Sequence, residues 1–130
     1  MKTGRYPLDT GIVAAHFRGD PEVGDKIVGA NEIFVSSITI GELLYGAFNS
    51  RREEDELRKI GEFVQAVRVL DCDIGTAENY GRIKTALRAK GRPIPENDIW
   101  IAATAIQYDL TLAMRDVHFA EVESLTLTSW

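Results

Sequence analysis

Hydrophobic and polar positions along the chain follow two alternating patterns. Short apolar runs rich in β-branched residues are separated by longer segments in which apolar residues recur with helical spacing. This alternation is typical of a parallel sheet flanked by helices and joined by right-handed crossovers. We therefore predict an α/β fold, a three-layer α/β/α sandwich around a doubly wound parallel sheet of about five strands. The predicted strands are residues 5–8, 33–36, 68–70, 111–114 and 125–127.

The predicted helices are marked by their ends as well as by their spacing. Asp9 and Thr10 offer capping chemistry before a helix over residues 12–17, and Pro21 is a favoured first residue for the next helix. Thr39 and Glu42 have the spacing of a capping box at the start of the third helix, GELLYGAF. The later helical segments are REEDELRKIGEFVQAV, residues 74–89 and IWIAATAI. The segment IWIAATAI is apolar on nearly every side and is preceded by Asn97.

Length and composition bound the class of protein. With 130 residues, 45% hydrophobic and 27% charged, the chain has the size and composition of one folded domain, which we expect to span residues 1–130. The N-terminus lacks the apolar run of a signal peptide, and no stretch is long enough to span a bilayer. The single cysteine, Cys72, cannot form an intrachain disulfide. We therefore expect a soluble, cytoplasmic protein in which Cys72 is a core thiol.

The chain is acidic overall but contains one basic segment. The net charge of −5 argues against a protein that coats nucleic acid through bulk electrostatics. Residues 82–92, RIKTALRAKGR, nevertheless carry five basic residues and no acid. The segment is either an ordinary solvated helix face or a local surface beside a cleft that holds an RNA backbone.

Several common chemistries are poorly supported by the sequence. Neither GxxxxGKS, GxxxxGKT nor GxGxxG is present, so a glycine-rich phosphate loop is not expected. His16 and His118 have no evident serine or cysteine partner, and a lone histidine is more often structural. Asp71 and Asp73 flank Cys72, an acidic setting that disfavours a nucleophilic thiolate.

Four acidic residues occupy positions where the predicted fold could bring them together. Asp9 and Asp116 follow predicted strands, and ligands of doubly wound sheets bind beyond such carboxyl ends. Asp98 begins the buried helix, and Glu42 faces either solvent or a cleft. Each acid alone has a structural alternative, because Asp9 could cap a helix, Asp98 could complement a helix dipole and Asp116 could be a turn residue.

The case for a site rests on the four acids as a set. Carboxylates a few ångströms apart would repel by about 4 kcal/mol per pair at an effective dielectric of about 20. Such a cluster persists either with some members protonated or by binding a hard divalent cation, and oxygen ligands suit Mg²⁺ or Mn²⁺. A cation held in this way can activate water and neutralise charge on a phosphate. The expected reaction is phosphodiester hydrolysis.

Four sequence segments, in order, resemble a known family. They are LDTGIV, SSITIGELLYGA, NDIWIAATA and LAMRDVHF, followed by a final tryptophan. Their acids are separated by 33, 56 and 18 positions, and the match runs across nearly the whole chain. Each segment alone is a weak signal, but in this order they resemble the PIN-domain, VapC-type toxins of bacterial and archaeal toxin–antitoxin pairs.

The resemblance implies a five-stranded parallel sheet and a Mg²⁺-dependent endoribonuclease, with Mn²⁺ as the alternative cofactor. A cognate VapB-like antitoxin would silence it. Carried over by motif, Asp9 and Asp98 are the principal metal ligands. Glu42 and Asp116 complete the catalytic site, and Asp116 holds a second ion when substrate is present. The supporting residues implied in the same way are Thr10, Asn97 and Arg115.

Family members commonly pair as dimers, and an antitoxin places a basic or aromatic side chain near the metals. The resemblance therefore implies a homodimer as well as an antitoxin complex. Four residues of this chain could face a partner, or could instead fill the core of the monomer. They are Leu44, Tyr45, Phe48 and Phe63.

The sequence departs from the family pattern at three positions. Gly11 stands where Asn is common and Met114 where Ser or Thr is usual. These two changes could weaken hydrogen bonding around Asp9 and Asp116 without removing a ligand. Pro7 interrupts the first strand, because proline cannot donate a hydrogen bond to a strand ladder.

Two other classes of function compete with this assignment on the sequence alone. A PIN-like module could retain the acidic pocket and bind RNA or a protein without cutting, although a full set of four acids argues against it. A receiver-type signalling domain also binds Mg²⁺ through acids at strand ends. That fold needs paired acids after its first strand and a lysine after its last, and neither is found near Asp9 or Leu127.

Overall fold

The computed structural model describes all 130 residues. The strands are β1 (Arg5–Pro7), β2 (Glu32–Ser36), β3 (Arg68–Leu70), β4 (Leu112–Met114) and β5 (Leu127–Ser129). The α-helices are α1 (Thr10–Phe17), α2 (Pro21–Gly29), α3 (Ser37–Phe48), α4 (Glu53–Ala66), α5 (Ile74–Ala89) and α6 (Glu96–Gln107), and a 3₁₀ helix spans Val117–Glu121. None of the helices combines the length and apolar character needed to cross a membrane.

All strand pairs are parallel. β2 lies between β1 and β3, β4 pairs with β5, and a single bridge between Leu8 and Ala113 joins the two groups. The strand order across the molecule is therefore β3-β2-β1-β4-β5, in which the winding reverses between β1 and β4. The predicted doubly wound parallel sheet of about five strands is confirmed.

Pro7 limits the hydrogen bonding between β1 and β4. Leu8 N–H donates to the carbonyl of Phe34 in β2, whereas Asp9 N–H donates to that of Ala113 in β4, so successive N–H groups point to opposite neighbours. By this alternation the N–H that Pro7 lacks would face β4. Strand β1 therefore pairs with β2 along its length but reaches β4 only at Leu8.

Successive strand residues feed two apolar cores on opposite faces of the sheet. In β2, Ile33 and Val35 pack with residues of α1, α2 and α4, whereas Phe34 forms a small separate cluster with Leu70 and Leu110 on the other face. In β4, Ala113 and Leu112 divide in the same way, and α5 and α6 cover the face of Leu112. Each fully buried aliphatic side chain contributes roughly 1.5–3 kcal/mol. The two cores hold the helices against the sheet as three α/β/α layers.

Helix α6 is buried, as its apolar pattern predicts. Ala102, Ala103 and Ala105 are fully buried, and their small side chains let α5 pack closely against the helix. The helix begins at Glu96, directly after Pro95, rather than after Asn97. The helix can start directly after Pro95 because the N–H that proline lacks has no intrahelical partner at the start of a helix.

Helix α3 begins four residues earlier than predicted, and the capping box expected of Thr39 and Glu42 is wrong. The cap is Ser36, the last residue of β2, whose Oγ accepts a hydrogen bond from Thr39 N–H at 3.2 Å. Because a capping side chain already ends the strand, the helix starts without an intervening loop. Glu42 therefore lies in the second turn of α3.

Two further expectations are corrected. The last strand is Leu127–Ser129 instead of residues 125–127, because Leu125 is buried in the core and the ladder opens where Leu112 N–H donates to Thr126 O at 2.9 Å. Cys72 is exposed, not a core thiol. It lies in the surface loop between β3 and α5.

Candidate active site

The site lies at the carboxyl ends of β1 and β4. Asp9 comes two residues after the end of β1, and Asp116 two residues after the end of β4. The winding of the sheet reverses between these two strands, so their following loops diverge to opposite faces and leave a crevice. Asp9 and Asp116 stand on the two sides of that crevice.

Asp9 is both a helix cap and a wall of the cleft. Its Oδ1 accepts a hydrogen bond from Ile12 N–H at 2.7 Å at the start of α1. The residue is only 3% exposed. Burial raises the pKa of Asp9 above its ordinary value, and the N–H groups of Ile12 and Arg115 oppose that rise only in part. The capping role proposed as an alternative is therefore real, and it fixes the carboxylate in the cleft.

Glu42 faces the cleft, which resolves the ambiguity left by the helical pattern. Its Oε1 accepts a hydrogen bond from the Thr10 hydroxyl at 2.6 Å, and Thr10 Oγ1 is also 3.1 Å from Thr39 Oγ1. Thr39 is fully buried within α3. Thr10, in the first turn of α1, therefore ties α1 to α3 and positions Glu42 beside Asp9.

Asp98 and Asp116 meet on the opposite side of the cleft, with His118 beside them. His118 Nδ1 is 3.0 Å from Asp116 Oδ1 and 3.7 Å from Asp98 Oδ2. Asp116 Oδ1 also accepts the backbone N–H of His118 at 2.9 Å, which caps the 3₁₀ helix. Burial, followed by the charges of Asp116 and Glu42, raises the pKa of Asp98 to about 6.

The four predicted acids converge in one cleft of about 560 Å³. No lysine or arginine forms an ion pair with any of them. A cluster of carboxylates without a paired lysine or arginine repels itself, and burial increases the cost. An oxygen donor set of this kind fits a hard divalent cation. The residues lining the cleft are Asp9, Thr10, Gly11, Arg18, Glu42, Pro95, Asp98, Arg115 and Asp116.

Gly11 lines the cleft beside Asp9. A Cβ at Gly11 would lie 3.6 Å from Asp9 Oδ1, an ordinary van der Waals contact. This departure from the family pattern therefore removes a neighbouring side chain and does not displace Asp9.

The three supporting residues are placed differently from one another. Thr10 holds Glu42, as described above. Arg115 lines the cleft but is engaged elsewhere, because its Nη1 pairs with Asp20 Oδ2 at 2.9 Å and its Nε donates to the carbonyl of Trp130. Asn97 does not line the acidic cleft and instead borders a neighbouring groove of α3 with Glu42 and Ser37.

Sequence reasoning missed Arg18 in the lining of the cleft and His118 beside two of its acids. Arg18, the C-cap of α1, lines it and pairs with no carboxylate. His118 was set aside as structural, although its place two residues after Asp116 was a signal of proximity. The basic stretch at residues 82–92 lines no part of the cleft, and two of its members pair with acids, Lys84 with Glu96 and Lys90 with Glu121.

Comparisons with known proteins agree with this architecture. Residues 6–125 match the family model described as PIN domain. The chain is 36% identical over 129 residues to ribonuclease VapC2 of Haemophilus influenzae, covering 97% of this chain and 98% of the relative. It is 31% identical over 129 residues, with the same coverage, to the tRNA(fMet)-specific endonuclease VapC of Shigella flexneri.

A solved structure gives the same result at the level of the fold. The structure of VapBC2 from Rickettsia felis, bound to a DNA fragment from its promoter, superposes with a TM-score of 0.90 at 30% identity. The alignment covers 97% of this chain and 98% of that one. The family match, the curated relatives and the shared fold together show that the chain belongs to the PIN-domain family and is of the VapC type.

Proposed function

We propose that this protein is a metal-dependent endoribonuclease and the toxin of a type II toxin–antitoxin pair. The observation that carries the proposal is the convergence of four carboxylates, without a paired lysine or arginine, at the switch point of the sheet. Curated relatives over the full length are named ribonuclease or endonuclease, which supports the same reaction class.

Asp9, Asp98 and Asp116 are the residues that would hold Mg²⁺ or Mn²⁺, and Glu42 completes the site. A divalent cation bound there supplies an activated water and neutralises charge on the phosphate during in-line displacement. The protein holds the carboxylates in place. Asp9 is fixed by the N–H of Ile12, and Glu42 by Thr10, so neither carboxylate needs to rearrange before a cation binds.

Arg18 is the residue that we assign to the RNA backbone. It is an exposed cation at the rim of an acidic cleft, and no carboxylate neutralises it. Arginine binds phosphate through paired N–H groups, so a free guanidinium beside the cleft can anchor the strand whose phosphodiester is cut. Arg115 is held by Asp20 and Trp130 and therefore acts mainly to position the loop that carries Asp116.

The proposed partners are structured RNA, a VapB-like antitoxin and a second copy of the chain, and the proposed location is the cytoplasm. The Shigella flexneri relative is named for tRNA(fMet), which makes tRNA the first substrate class to test. On α3, Tyr45 and Phe48 are 73% and 59% exposed and available to a protein partner. Phe63 is buried in the core, and Leu44 is half-buried.

The test compares RNA cleavage by the wild type with cleavage by Asp9→Asn and Asp98→Asn. Purified protein is incubated with total tRNA in Mg²⁺, in Mn²⁺ and in EDTA. Asp25→Asn removes an equally sized charge from an exposed position on α2 and serves as the matched control. We expect metal-dependent cleavage by the wild type and the control, and none by the two cleft variants.

Cleavage that persists in both cleft variants would place the chemistry elsewhere. RNA binding without cleavage in any metal would favour the non-cleaving binding module. A fluorescence titration of labelled tRNA in EDTA provides that second measurement.

A further inference from the structure

His118 is the one nitrogen donor grouped with the acids of the cleft. It lies in the 3₁₀ helix that follows β4, and its Nδ1 is 3.0 Å from Asp116 Oδ1 and 3.7 Å from Asp98 Oδ2. The ring and the two carboxylates therefore face a common point. The His118 side chain is 48% exposed, so an ion or a water can reach that point from solvent.

The spacing of these three groups fits one metal ion. One ligand atom from each of Asp98, Asp116 and His118 can be chosen so that all lie within 4.8 Å of one another. Two ligands on opposite sides of an ion with bonds of about 2.1 Å are separated by roughly 4.2 Å, and adjacent ligands are closer. The separations from Nδ1 already fall below that limit, so only small side-chain rotations would be needed.

Capping does not explain the position of the His118 ring. The backbone N–H of His118 already satisfies Asp116 Oδ1 as the cap of the 3₁₀ helix. Any residue other than proline would provide that N–H at this position. The ring is not packed into either apolar core, and its nearest charged groups are the two carboxylates.

An imidazole changes which metal a site prefers. Mg²⁺ takes oxygen ligands almost exclusively, whereas later divalent ions accept imidazole nitrogen readily. Oxygen donors alone, as supplied by Asp9 and Glu42, do not separate Mg²⁺ from Mn²⁺ strongly. The identity of the ion bound on the Asp98 side of the cleft therefore depends on whether His118 takes part.

We propose that His118 Nδ1 joins Asp98 and Asp116 as a metal ligand and makes this position select Mn²⁺ over Mg²⁺. The ligand form is the neutral ring that carries its proton on Nε2. The inference rests on the proposed function, since it assigns a further ligand to the same metal site. It distinguishes His118 from His16 of α1, which packs beside Phe17 and beside Phe63 of α4.

The test uses Mn²⁺ itself as the probe. Pulsed electron paramagnetic resonance detects nitrogen bound to Mn²⁺ through its nuclear coupling, and calorimetry gives the affinities for Mn²⁺ and Mg²⁺ in the absence of RNA. We compare the wild type with His118→Gln and use His16→Gln as the matched control. Wild-type protein labelled with ¹⁵N-histidine provides a second measurement that needs no substitution.

The expected result is a nitrogen coupling in the wild type and in His16→Gln that changes on ¹⁵N labelling and disappears in His118→Gln. The affinity for Mn²⁺ should fall by about tenfold or more in His118→Gln, while the affinity for Mg²⁺ changes little. A wild-type spectrum without nitrogen coupling, or equal losses for the two ions, overturns the role of His118.

The outcomes separate this inference from the proposed function. If Mn²⁺ binds and tRNA is cleaved but no nitrogen coupling is seen, the ribonuclease assignment stands and the His118 assignment fails. If no divalent ion binds the wild type, both fail.

Discussion

Replacing Asp98 with asparagine should stabilise the metal-free protein at neutral pH. The Asp98 side chain is only 18% exposed, and burial together with Asp116 and Glu42 raises its pKa from 3.8 to about 6. Each pKa unit corresponds to about 1.4 kcal/mol, so ionised Asp98 disfavours the folded state by up to about 3 kcal/mol. Asparagine keeps the shape and removes the charge, and the unfolding free energy should rise by about 1–3 kcal/mol.

The stability gained by Asp98→Asn should depend on pH. An acid with a raised pKa in the folded protein holds its proton longer there than in the unfolded chain. The contribution of Asp98 to the stability of the wild type therefore falls as pH rises from 3.8 to about 6, and its penalty is fully present above that interval. Asp98→Asn should gain roughly 5–10 °C in melting temperature at about pH 7.5 and almost nothing at about pH 4.

Thermal unfolding followed by circular dichroism in EDTA measures both quantities. Asp25→Asn, the exposed control, should have the same melting temperature as the wild type at both pH values. Mn²⁺ should then reverse the order, because it stabilises the wild type and not Asp98→Asn. The reasoning is refuted if Asp98→Asn is no more stable than the wild type in EDTA near neutral pH, or if its advantage is undiminished in acid.

Three further predictions concern groups around the cleft and the core. Thr10→Val removes the hydroxyl that holds Glu42 and should lower Mn²⁺ affinity by about 10–100-fold in calorimetry. Arg18→Gln should weaken tRNA binding in EDTA and reduce the slope of log K against log salt by roughly 0.7–1, the effect of one lost phosphate contact. Trp130→Ala removes a buried ring that packs edge-on against Tyr6 at 5.1 Å and should cost about 3–5 kcal/mol in urea unfolding.

Each of these substitutions has a matched control elsewhere in the chain. Thr85→Val removes an exposed hydroxyl on α5, Arg51→Gln an exposed cation after α3, and Tyr108→Ala a partly exposed ring after α6. All three should behave nearly as the wild type in the corresponding assay. If a control lost as much affinity or stability as its partner variant, the loss would reflect a general change in charge or surface area. It would then not be due to the specific contact of Thr10, Arg18 or Trp130.

The sheet was predictable because its signal is local. Ile33, Phe34 and Val35 in β2 form a continuous apolar run, and such runs mark strands that are buried on both faces. The start of α3 was not predictable from helical spacing, because Ser36 serves both as the end of a strand and as a cap. Two elements that share a residue leave no loop signal between them.

The site could be predicted as a set of acids but not as a geometry. Glu42 is held at the cleft by a hydrogen bond from Thr10 of α1, which also contacts Thr39 of α3. That contact spans 29 residues in sequence and has no local signature. Arg18 was missed for the same reason, since nothing near it in sequence shows that the end of α1 returns to the cleft.

The single bridge between β1 and β4 affects how the two halves of the molecule are held together. Asp9 and Glu42 belong to the half of the molecule built on β1, β2 and β3, whereas Asp98 and Asp116 belong to the half built on β4 and β5. Within the sheet one strand bridge crosses the seam between these halves. Repulsion among the acids opposes the approach of the two halves, and a cation bound to acids of both would hold them together.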